Sequence, residues 1–358
     1  MSKQYRIIPK VGIPDILKLQ RIEYPCILTS LSLKEVRRAL SFADVYEILA
    51  DGSEVLLDEY NYHLDLLAQN HEVLPATAEN VQDVIANAKE GDMIILEEGV
   101  YDQNLIINKS VIINGNGKAT INSKLNITAG DVTITGCTIN APSTLTEKEH
   151  LIEVGGTGAF SFSGNTIRVS DTKLRTPILI HTNGVINITG NTFDDPGTLV
   201  YNWLETGSTI NHPIATGSKF NSNTFIGSPT NNVISLYTFE DNAEIEISSN
   251  TFDYSGNAVR FSNVTSSKVK IIMNNNEYKE VSTSDDCIYT GFMLFQDYSK
   301  EGELMDFTVM NIQLTNLIGP GGKKMLKNVS GTANQIWYVY DNQDGIITDK
   351  NQPNITLS

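Results

Sequence analysis

The chain has few cysteines, no long apolar run and few basic residues for its length. Its three cysteines, Cys26, Cys137 and Cys287, lie far apart in 358 residues and form neither a disulfide framework nor a zinc-binding motif. No apolar stretch approaches about 18 residues, and none follows the first basic residues, so neither a membrane-spanning helix nor a signal peptide is expected. The sequence therefore predicts a protein of a reducing compartment without membrane insertion.

Acidic residues outnumber basic ones, 42 to 26, which gives a net charge of -16. Nucleic-acid binding needs clustered Lys and Arg, so the body of the protein is not expected to bind nucleic acid. Residues 1–40 differ, with eight basic and three acidic side chains. This asymmetry predicts docking on an acidic partner, although the segment could instead pack on its own acidic body. The candidate partner-binding residues are Lys3, Arg6, Lys10, Lys18, Arg21, Arg37 and Arg38.

Three regions follow one another along the chain. Residues 1–75 predict a small N-terminal module with an extended arm, a short helix capped by Ser32, and a β-hairpin around Asp51-Gly52. Residues 76–285 begin with an amphipathic capping helix and continue as short apolar strands separated by Asn and Gly. Residues 286–358 predict terminal coils and a C-terminal cap or oligomerisation region, because the open edge of a last coil must be covered.

An internal repeat determines the expected fold. The motif Asn-Thr-Ile/Phe, or a close variant, starts at Asn165, Asn191, Asn223, Asn250 and Asn276, at spacings of 26, 32, 27 and 26 residues. Alternating apolar pairs precede most copies, as expected for strands with one buried face. A period in the twenties built from strands and turns predicts a parallel β-helix. Each repeated Asn is expected to adopt the left-handed conformation and to hydrogen-bond the same position one coil away, with Thr outward and Ile or Phe inward.

Residues 81–121 closely resemble the cap and first coils of pectate-lyase-like right-handed β-helix proteins. The resemblance rests on Gly91-Asp92, on Gly99-Val100-Tyr101 and on the segment 107–115, INKSVIING. It implies a mainly β fold, a right-handed parallel β-helix, preceded here by a small α+β N-terminal module. The superfamily includes lyases, hydrolases, adhesins and viral fibres, so the resemblance does not determine the function.

The first 65 residues resemble short attachment modules on virion proteins of tailed bacteriophages, including crAss-like phages of gut Bacteroides. The resemblance rests on residues 36–40, VRRAL, and residues 45–57, VYEILADGSEVLL. It implies a location in the virion, other capsid or tail proteins as partners, and a homo-oligomer for which the analogy with fibres favours a trimer. The predicted function is a non-enzymatic structural component: a head fibre, a capsid decoration protein or a tail fibre-like projection.

A polysaccharide-degrading tailspike, either a lyase or a glycoside hydrolase, is the leading alternative. A glycosidase needs two carboxylates on neighbouring coils, and Asp194, Asp195 and Asp253 are the best candidates. The elements that accompany such residues in polygalacturonases are missing, so a polar turn at Asp194-Asp195 is the favoured interpretation. The five histidines show no ligand spacing, and neither a metal nor a cofactor is predicted.

Exposed aromatic side chains could bind a host glycan. Trp203, Tyr237 and Trp337 are the candidates for stacking on sugar rings, and burial in the core or in a subunit interface is the alternative for each. A third functional class, a bacterial carbohydrate-binding surface protein, is disfavoured by the missing signal peptide.

Overall fold

The structure is a computed structural model, and it divides the chain into two compact units, Met1–Glu72 and Val73–Ser358. The first unit ends three residues before the boundary predicted at residue 75. The structure describes residues 4–9, 26–29, 43–48, 54–56, 71–169, 174, 176–194, 202–207, 212–227, 232–253, 257–262, 268–279, 291–296, 309–316, 328–329, 335–338 and 354–357.

The described part of the N-terminal unit is a four-stranded antiparallel sheet of order β2-β1-β3-β4. Its strands are β1 (Gln4–Pro9), β2 (Cys26–Thr29), β3 (Ala43–Ile48) and β4 (Glu54–Leu56).

Strands β3 and β4 pair at the position of the predicted hairpin, and β1, within the segment predicted as an extended arm, lies in the same sheet. Strand β1 pairs with β2 on one side and with β3 on the other, so its backbone groups are satisfied within the sheet. Its neighbour β3 carries Asp44 and Glu47, and residues 1–72 as a whole contain 8 basic and 11 acidic side chains. The basic segment therefore belongs to a unit of net charge -3. The predicted helix and the Asp51-Gly52 turn lie outside the described residues.

The second unit is a solenoid whose strands stack in three parallel ladders, which confirms the predicted parallel β-helix. Ladder A contains β5 (Val73–Ala76), β6 (Met93–Leu96), the first parts of β9 (Ile112–Ile121) and β11 (Val132–Asn140), β13 (Phe160–Ser163), β16 (Ile186–Thr189), β19 (Lys219–Asn221), β22 (Ala243–Glu246), β25 (Val269–Asn274), β28 (Met310–Thr315) and β31 (Asn354–Leu357). Ladder B contains β7 (Gly99–Tyr101), the second parts of β9 and β11, β14 (Thr166–Arg168), β17 (Thr192–Asp194), β20 (Thr224–Ile226), β23 (Thr251–Asp253) and β26 (Glu277–Lys279).

Ladder C closes each coil. It contains β8 (Leu105–Ile107), β10 (Leu125–Ile127), β12 (Ile152–Gly156), β15 (Ile178–Thr182), β18 (Asn202–Thr206), β21 (Asn232–Leu236), β24 (Asn257–Ser262) and β27 (Gly291–Gln296), to which β30 (Gln335–Tyr338) and then β29 (Asn328–Val329) add antiparallel. Helix α1 (Val81–Asn87) lies at the N-terminal end and buries Val81 and Ile85. None of the helices among the described residues is long and apolar enough to cross a membrane.

Aromatic rings stack along the interior beneath ladder B. Phe193, Phe225 and Phe252 occupy the same position on successive coils, with ring centroids 4.6 and 5.2 Å apart and nearly parallel planes. These distances match the spacing of neighbouring strands, about 4.8 Å, so the stack follows from the register. The inward Ile or Phe and the half-buried outward Thr of the repeat are as predicted.

The repeated asparagines form a buried ladder at the corner between ladders A and B. In Asn165, Asn191, Asn223 and Asn250, the backbone N–H donates to Oδ1 of the Asn one coil later at 2.9–3.0 Å. The side-chain Nδ2 donates to the same oxygen at 3.0–3.2 Å. The predicted coil-to-coil hydrogen bond is therefore confirmed, and the ladder satisfies the buried backbone N–H groups of these four asparagines.

The left-handed residue at these corners is not the Asn itself, contrary to the prediction. It is the residue immediately before the Asn position, where a positive φ turns the chain so that the Asn side chain points inward. These residues are Gly136, Gly164, Gly190, Ser222, Ser249 and Asn275.

Candidate functional site

The two described carboxylates predicted for catalysis lie on the outward face of ladder B. On four successive coils, the in-register residues are Arg168, Asp194, Ile226 and Asp253. Two strand spacings, about 10 Å, therefore separate the backbones of Asp194 and Asp253. Asp194 Oδ2 lies 3.8 Å from Arg168 Nε, an exposed ion pair. The structure thus gives Asp194 a cationic neighbour and does not bring the two carboxylates onto adjacent coils.

Several other predicted site residues are not described. Asp195 and the basic residues Lys3, Lys10, Lys18, Arg21, Arg37 and Arg38 lie outside the described residues. Arg6 belongs to β1, Trp203 to β18 and Trp337 to β30, where the strand is described but the side chain is not.

Tyr237 is the described aromatic candidate, and it lies beside Arg260 on the next coil of ladder C. The Arg260 guanidinium donates a hydrogen bond to the Tyr237 hydroxyl, and its central carbon lies 5.2 Å from the ring centroid. This is a cation–π contact, and Arg260 is only 4% exposed although its strand position faces outward. Phe239, two residues further on, is buried near Phe261 and belongs to the core.

Histidines meet on the same side of the solenoid, which the sequence analysis missed. The rings of His181, in β15, and His212, after β18, have centroids 6.0 Å apart at an interplanar angle of 64°. Nδ1 of His212 lies 3.0 Å from Oδ1 of Asn183, and Nδ1 of His150 lies 2.7 Å from the Thr176 carbonyl oxygen. His150, His181 and His212 follow one another at intervals of 31 residues, whereas register pairs His181 with Gly155, so the spacing in the sequence does not by itself bring these histidines together.

Burial lowers the pKa of His181 below its usual value, and the positive charges that His212 and His150 can acquire lower this pKa further. The carboxylate of Glu153 acts in the opposite direction and is outweighed. His181 is therefore neutral at pH 7 and able to accept a proton or a hydrogen bond.

Register gathers these side chains into one surface, which we call the ladder C outer face. One outward column runs through Glu153, Leu179, Glu205, Ser235 and Arg260. A second outward column lies beside it. Gly155 pairs with His181, and Ile180, Thr206 and Leu236 are in register on successive coils. The residues that follow these three, His181, Gly207 and Tyr237, therefore continue the column that begins at Gly155. Ser235, Gly207 and Arg260 are buried in these columns, so the solvent-accessible part of the face consists of the Glu153 and Glu205 carboxylates, the Leu179 side chain, the His181 imidazole and the Tyr237 ring.

A gap opens next to His181 at Gly155. A Cβ built on Gly155 would meet a single neighbouring atom, the Ile127 carbonyl oxygen, at 3.9 Å. Because Gly155 has no side chain, this column has an open space beside His181 that is large enough for a Cβ. In the part of the chain that the structure describes, no group of three or more His, Cys, Asp and Glu side chains could hold a metal ion.

The Cys137 thiol is not a reactive group. Cys137 is buried where Gly115 leaves room for its sulfur, and a Cβ on Gly115 would approach that sulfur to 2.6 Å. Burial raises the pKa of the Cys137 thiol to about 12, so it stays protonated at neutral pH. Cys137 therefore serves as a small apolar side chain of the interior.

No protein-family model and no curated protein matches this chain. Among solved structures, it is similar to a mannuronic-acid-specific family 6 polysaccharide lyase from human gut microbiota, with 12% identity, a TM-score of 0.38, and coverage of 80% of this chain and 82% of that one. It is also similar to the family 6 alginate lyase AlyGC, with 10% identity, a TM-score of 0.31, and coverage of 76% and 57%. The assignment of a parallel β-helix rests on the strand pairing of this chain.

Proposed function

We propose that this protein is a non-enzymatic structural component of a bacteriophage virion, in which the N-terminal unit attaches to other virion proteins and the solenoid contacts host glycans. The observation that carries the proposal is the coil-to-coil continuity of the solenoid. From Asn165 to Asn276, the buried Asn ladder links each coil to the next through two hydrogen bonds, and the three strand ladders stack coil on coil beside it. A body built in this way is stiff along its length, as a projecting fibre or decoration protein requires.

The ladder C outer face supports the glycan contact. Tyr237 offers an aromatic ring fixed by Arg260, and His181 and Glu205 add hydrogen-bonding groups on neighbouring coils. Sugar recognition needs this combination of ring and polar groups on a rigid support. A solenoid of strongly acidic composition favours a neutral or weakly charged glycan over a polyanionic one.

Attachment is tested by co-sedimentation of the full chain with particles that lack this protein. The variant Arg37→Glu/Arg38→Glu should lose most of its co-sedimentation if the basic residues dock on an acidic partner. Lys118→Glu is the matched control, since Lys118 is an exposed solenoid residue whose contact with Glu98 is 4.0 Å long. Equal co-sedimentation of both variants and the wild-type protein would refute attachment through these arginines.

Glycan contact is tested by binding of the full chain to host capsular polysaccharide at pH 7. Loss of the ring in Tyr237→Ala should weaken binding about three- to tenfold, the value of one aromatic contact. Arg168→Ala on ladder B is the control and should bind as the wild-type protein does. Absence of binding by the wild-type protein would refute the glycan contact.

A polysaccharide-degrading enzyme is the second candidate, and one observation favours it. His181 is held neutral at pH 7 within reach of the Glu153 charge, as a general base requires. Release of reducing ends or unsaturated products by the wild-type protein, abolished in His181→Gln, would support this candidate and refute the non-enzymatic role. If the active site lies on ladder B instead, product release should be lost in Asp194→Asn and Asp253→Asn rather than in His181→Gln.

A further inference from the structure

We propose that Asn116 is a covalent modification site, which deamidates in the folded protein through a cyclic imide formed with the backbone nitrogen of Gly117. Asparagine is a thermolabile residue, and a following glycine leaves its own nitrogen open to attack because it has no side chain. Three Asn-Gly pairs occur in the chain, beginning at Asn114, Asn116 and Asn183. The surroundings of Asn116 differ from those of the other two.

Residues 115–118 form a bulge in β9, between its ladder A part and its ladder B part. The register with β11 is interrupted there, so these four residues lie opposite Gly136 alone. Asn116 and Gly117 are exposed and have φ values of 50° and 69°. Two successive positive φ values are typical of a type I′ turn, in which Asn-Gly is a favoured pair.

Rotation of a single peptide plane brings the reacting atoms of this turn together. Turning over the peptide between Asn116 and Gly117 converts a type I′ turn into a type II′ turn, which keeps the positive φ of Asn116 and reverses that of Gly117. Glycine adopts both signs of φ, and a Cβ built on Gly117 would meet no atom within 4 Å. The rotated peptide directs the Gly117 nitrogen towards the Asn116 side chain.

The reaction then needs only water. The Gly117 nitrogen attacks Cγ of Asn116, and the new N–C bond closes a five-membered imide. The bond between Cγ and Nδ2 breaks, and ammonia leaves with the proton that the Gly117 nitrogen gives up. Water opens the imide at either carbonyl carbon and yields aspartate or isoaspartate, so either product adds a negative charge at residue 116.

The pair that begins at Asn114 is held by contacts with its surroundings. Oδ1 of Asn114 accepts the backbone N–H of Asn116 at 2.8 Å. A Cβ built on Gly115 would lie 2.6 Å from the Gly136 carbonyl oxygen, so the backbone of Gly115 packs directly on the next coil. Deamidation of Asn114 must first break this hydrogen bond and this packing.

The pair that begins at Asn183 is held in the same way. Oδ1 of Asn183 lies 3.0 Å from Nδ1 of His212, and the Gly184 N–H donates to Oγ1 of Thr182 at 3.2 Å. A Cβ built on Gly184 would overlap the backbone of Gly158 on the preceding coil. The peptide between Asn183 and Gly184 therefore has little room to turn over.

Incubation of the full chain at mildly alkaline pH, followed by peptide mass spectrometry, tests the assignment. Trypsin releases Asn114 and Asn116 together in the peptide 110–118, in which fragmentation identifies the deamidated residue. Asn116 should deamidate at least about tenfold faster than Asn114 or Asn183, since each of these must first lose about one or two hydrogen bonds. Isoaspartyl methyltransferase should label residue 116, which is the signature of the imide route.

The chain unfolded in guanidinium chloride is the matched control, because all three pairs are then free to react and their rates should come close together. Asn116→Gln retains a side-chain amide but would need a six-membered ring, so the folded variant should lose the methyltransferase label. Absence of deamidation at Asn116 in the folded protein, or equal rates at Asn116 and Asn183 there, would overturn the proposal. Neither measurement depends on the proposed virion attachment or glycan contact.

Discussion

The buried asparagine ladder makes a quantitative prediction for Asn223→Ala. Oδ1 of Asn223 accepts the backbone N–H of Asn191 at 3.0 Å, and its Nδ2 donates to the Ile188 carbonyl at 2.8 Å. Alanine leaves both of these buried groups without this partner. The two neighbouring ladder side chains keep other bonds, since Nδ2 of Asn191 still reaches the Phe162 carbonyl and Oδ1 of Asn250 still accepts the N–H of residue 223.

Each buried polar group left unpaired costs about 1–3 kcal/mol, so two of them cost about 2–6 kcal/mol. We expect Asn223→Ala to lower the free energy of unfolding of the solenoid by about 3 kcal/mol. For a unit that spans Val73–Ser358, an unfolding entropy of about 2.1 cal/mol/K per residue converts such a loss into a fall in melting temperature of about 5 °C. The assay is thermal unfolding at pH 7, followed by circular dichroism in the β-sheet region.

The matched control is Thr224→Ala at the adjacent position. Thr224 is half-buried on the outward side of ladder B, where its side chain is not part of the asparagine ladder. Its replacement should cost less than about 1 kcal/mol, the range of cross-strand Thr pairs. If Asn223→Ala destabilises the protein no more than Thr224→Ala does, the ladder does not hold the coils together as argued.

Two further substitutions test the stacking of the coils. Phe225→Ala, which removes a ring stacked on both sides, should lower the stability by about 3–5 kcal/mol, and Phe225→Leu by clearly less; equal losses in urea unfolding would contradict the packing argument. In Gly158→Ala, the new Cβ would overlap backbone atoms of Gly130 and Asp131 one coil below, so soluble yield and melting temperature should fall, whereas Gly99→Ala, with open space at its Cβ, should be neutral.

The corner between ladders A and B explains why the solenoid could be predicted from sequence. Most copies of the motif have the same two-residue connection there: Ser163 ends β13 and Thr166 begins β14, just as Thr189 ends β16 and Thr192 begins β17. Between β22 and β23 the strand ends lie further apart, but the Asn still follows the last inward residue, Ile247, by three positions, as Asn191 follows Ile188. This constant spacing keeps inward and outward positions in phase, so the period is visible without coordinates. The position of the left-handed residue was mispredicted because Asn and its small neighbour can both adopt a positive φ, and only the inward direction of the Asn side chain decides between them.

The candidate site could not be read from the same repeat, because the connections on both sides of ladder C vary in length. From the end of ladder B to ladder C, the chain takes eleven residues between β11 and β12 but three between β23 and β24. From ladder C back to ladder A, it takes three residues between β12 and β13 but twelve between β18 and β19. A fixed sequence period therefore does not predict the register of ladder C. The strand pairing of the structure is needed to show that His181 lies near His212 and Tyr237 near Arg260.

The contrast between the constant Asn corner and the variable connections also explains why the histidines and the Tyr237–Arg260 pair lie on ladder C. The Asn corner fixes the spacing of the coils and tolerates no insertion, because an extra residue would break the buried ladder on both sides. Insertions are confined to the edges of ladder C, where loops can lengthen without disturbing the core. Ladder C thus receives side chains both from its own strands and from the adjoining segments, as His181 and His212 illustrate. In the proposed function, the constant corner provides stability and the variable face provides the glycan contact. Substitution of half-buried residues of the ladder C outer face, such as Tyr237, should therefore change binding at little cost in stability, while substitutions in the Asn corner should do the reverse.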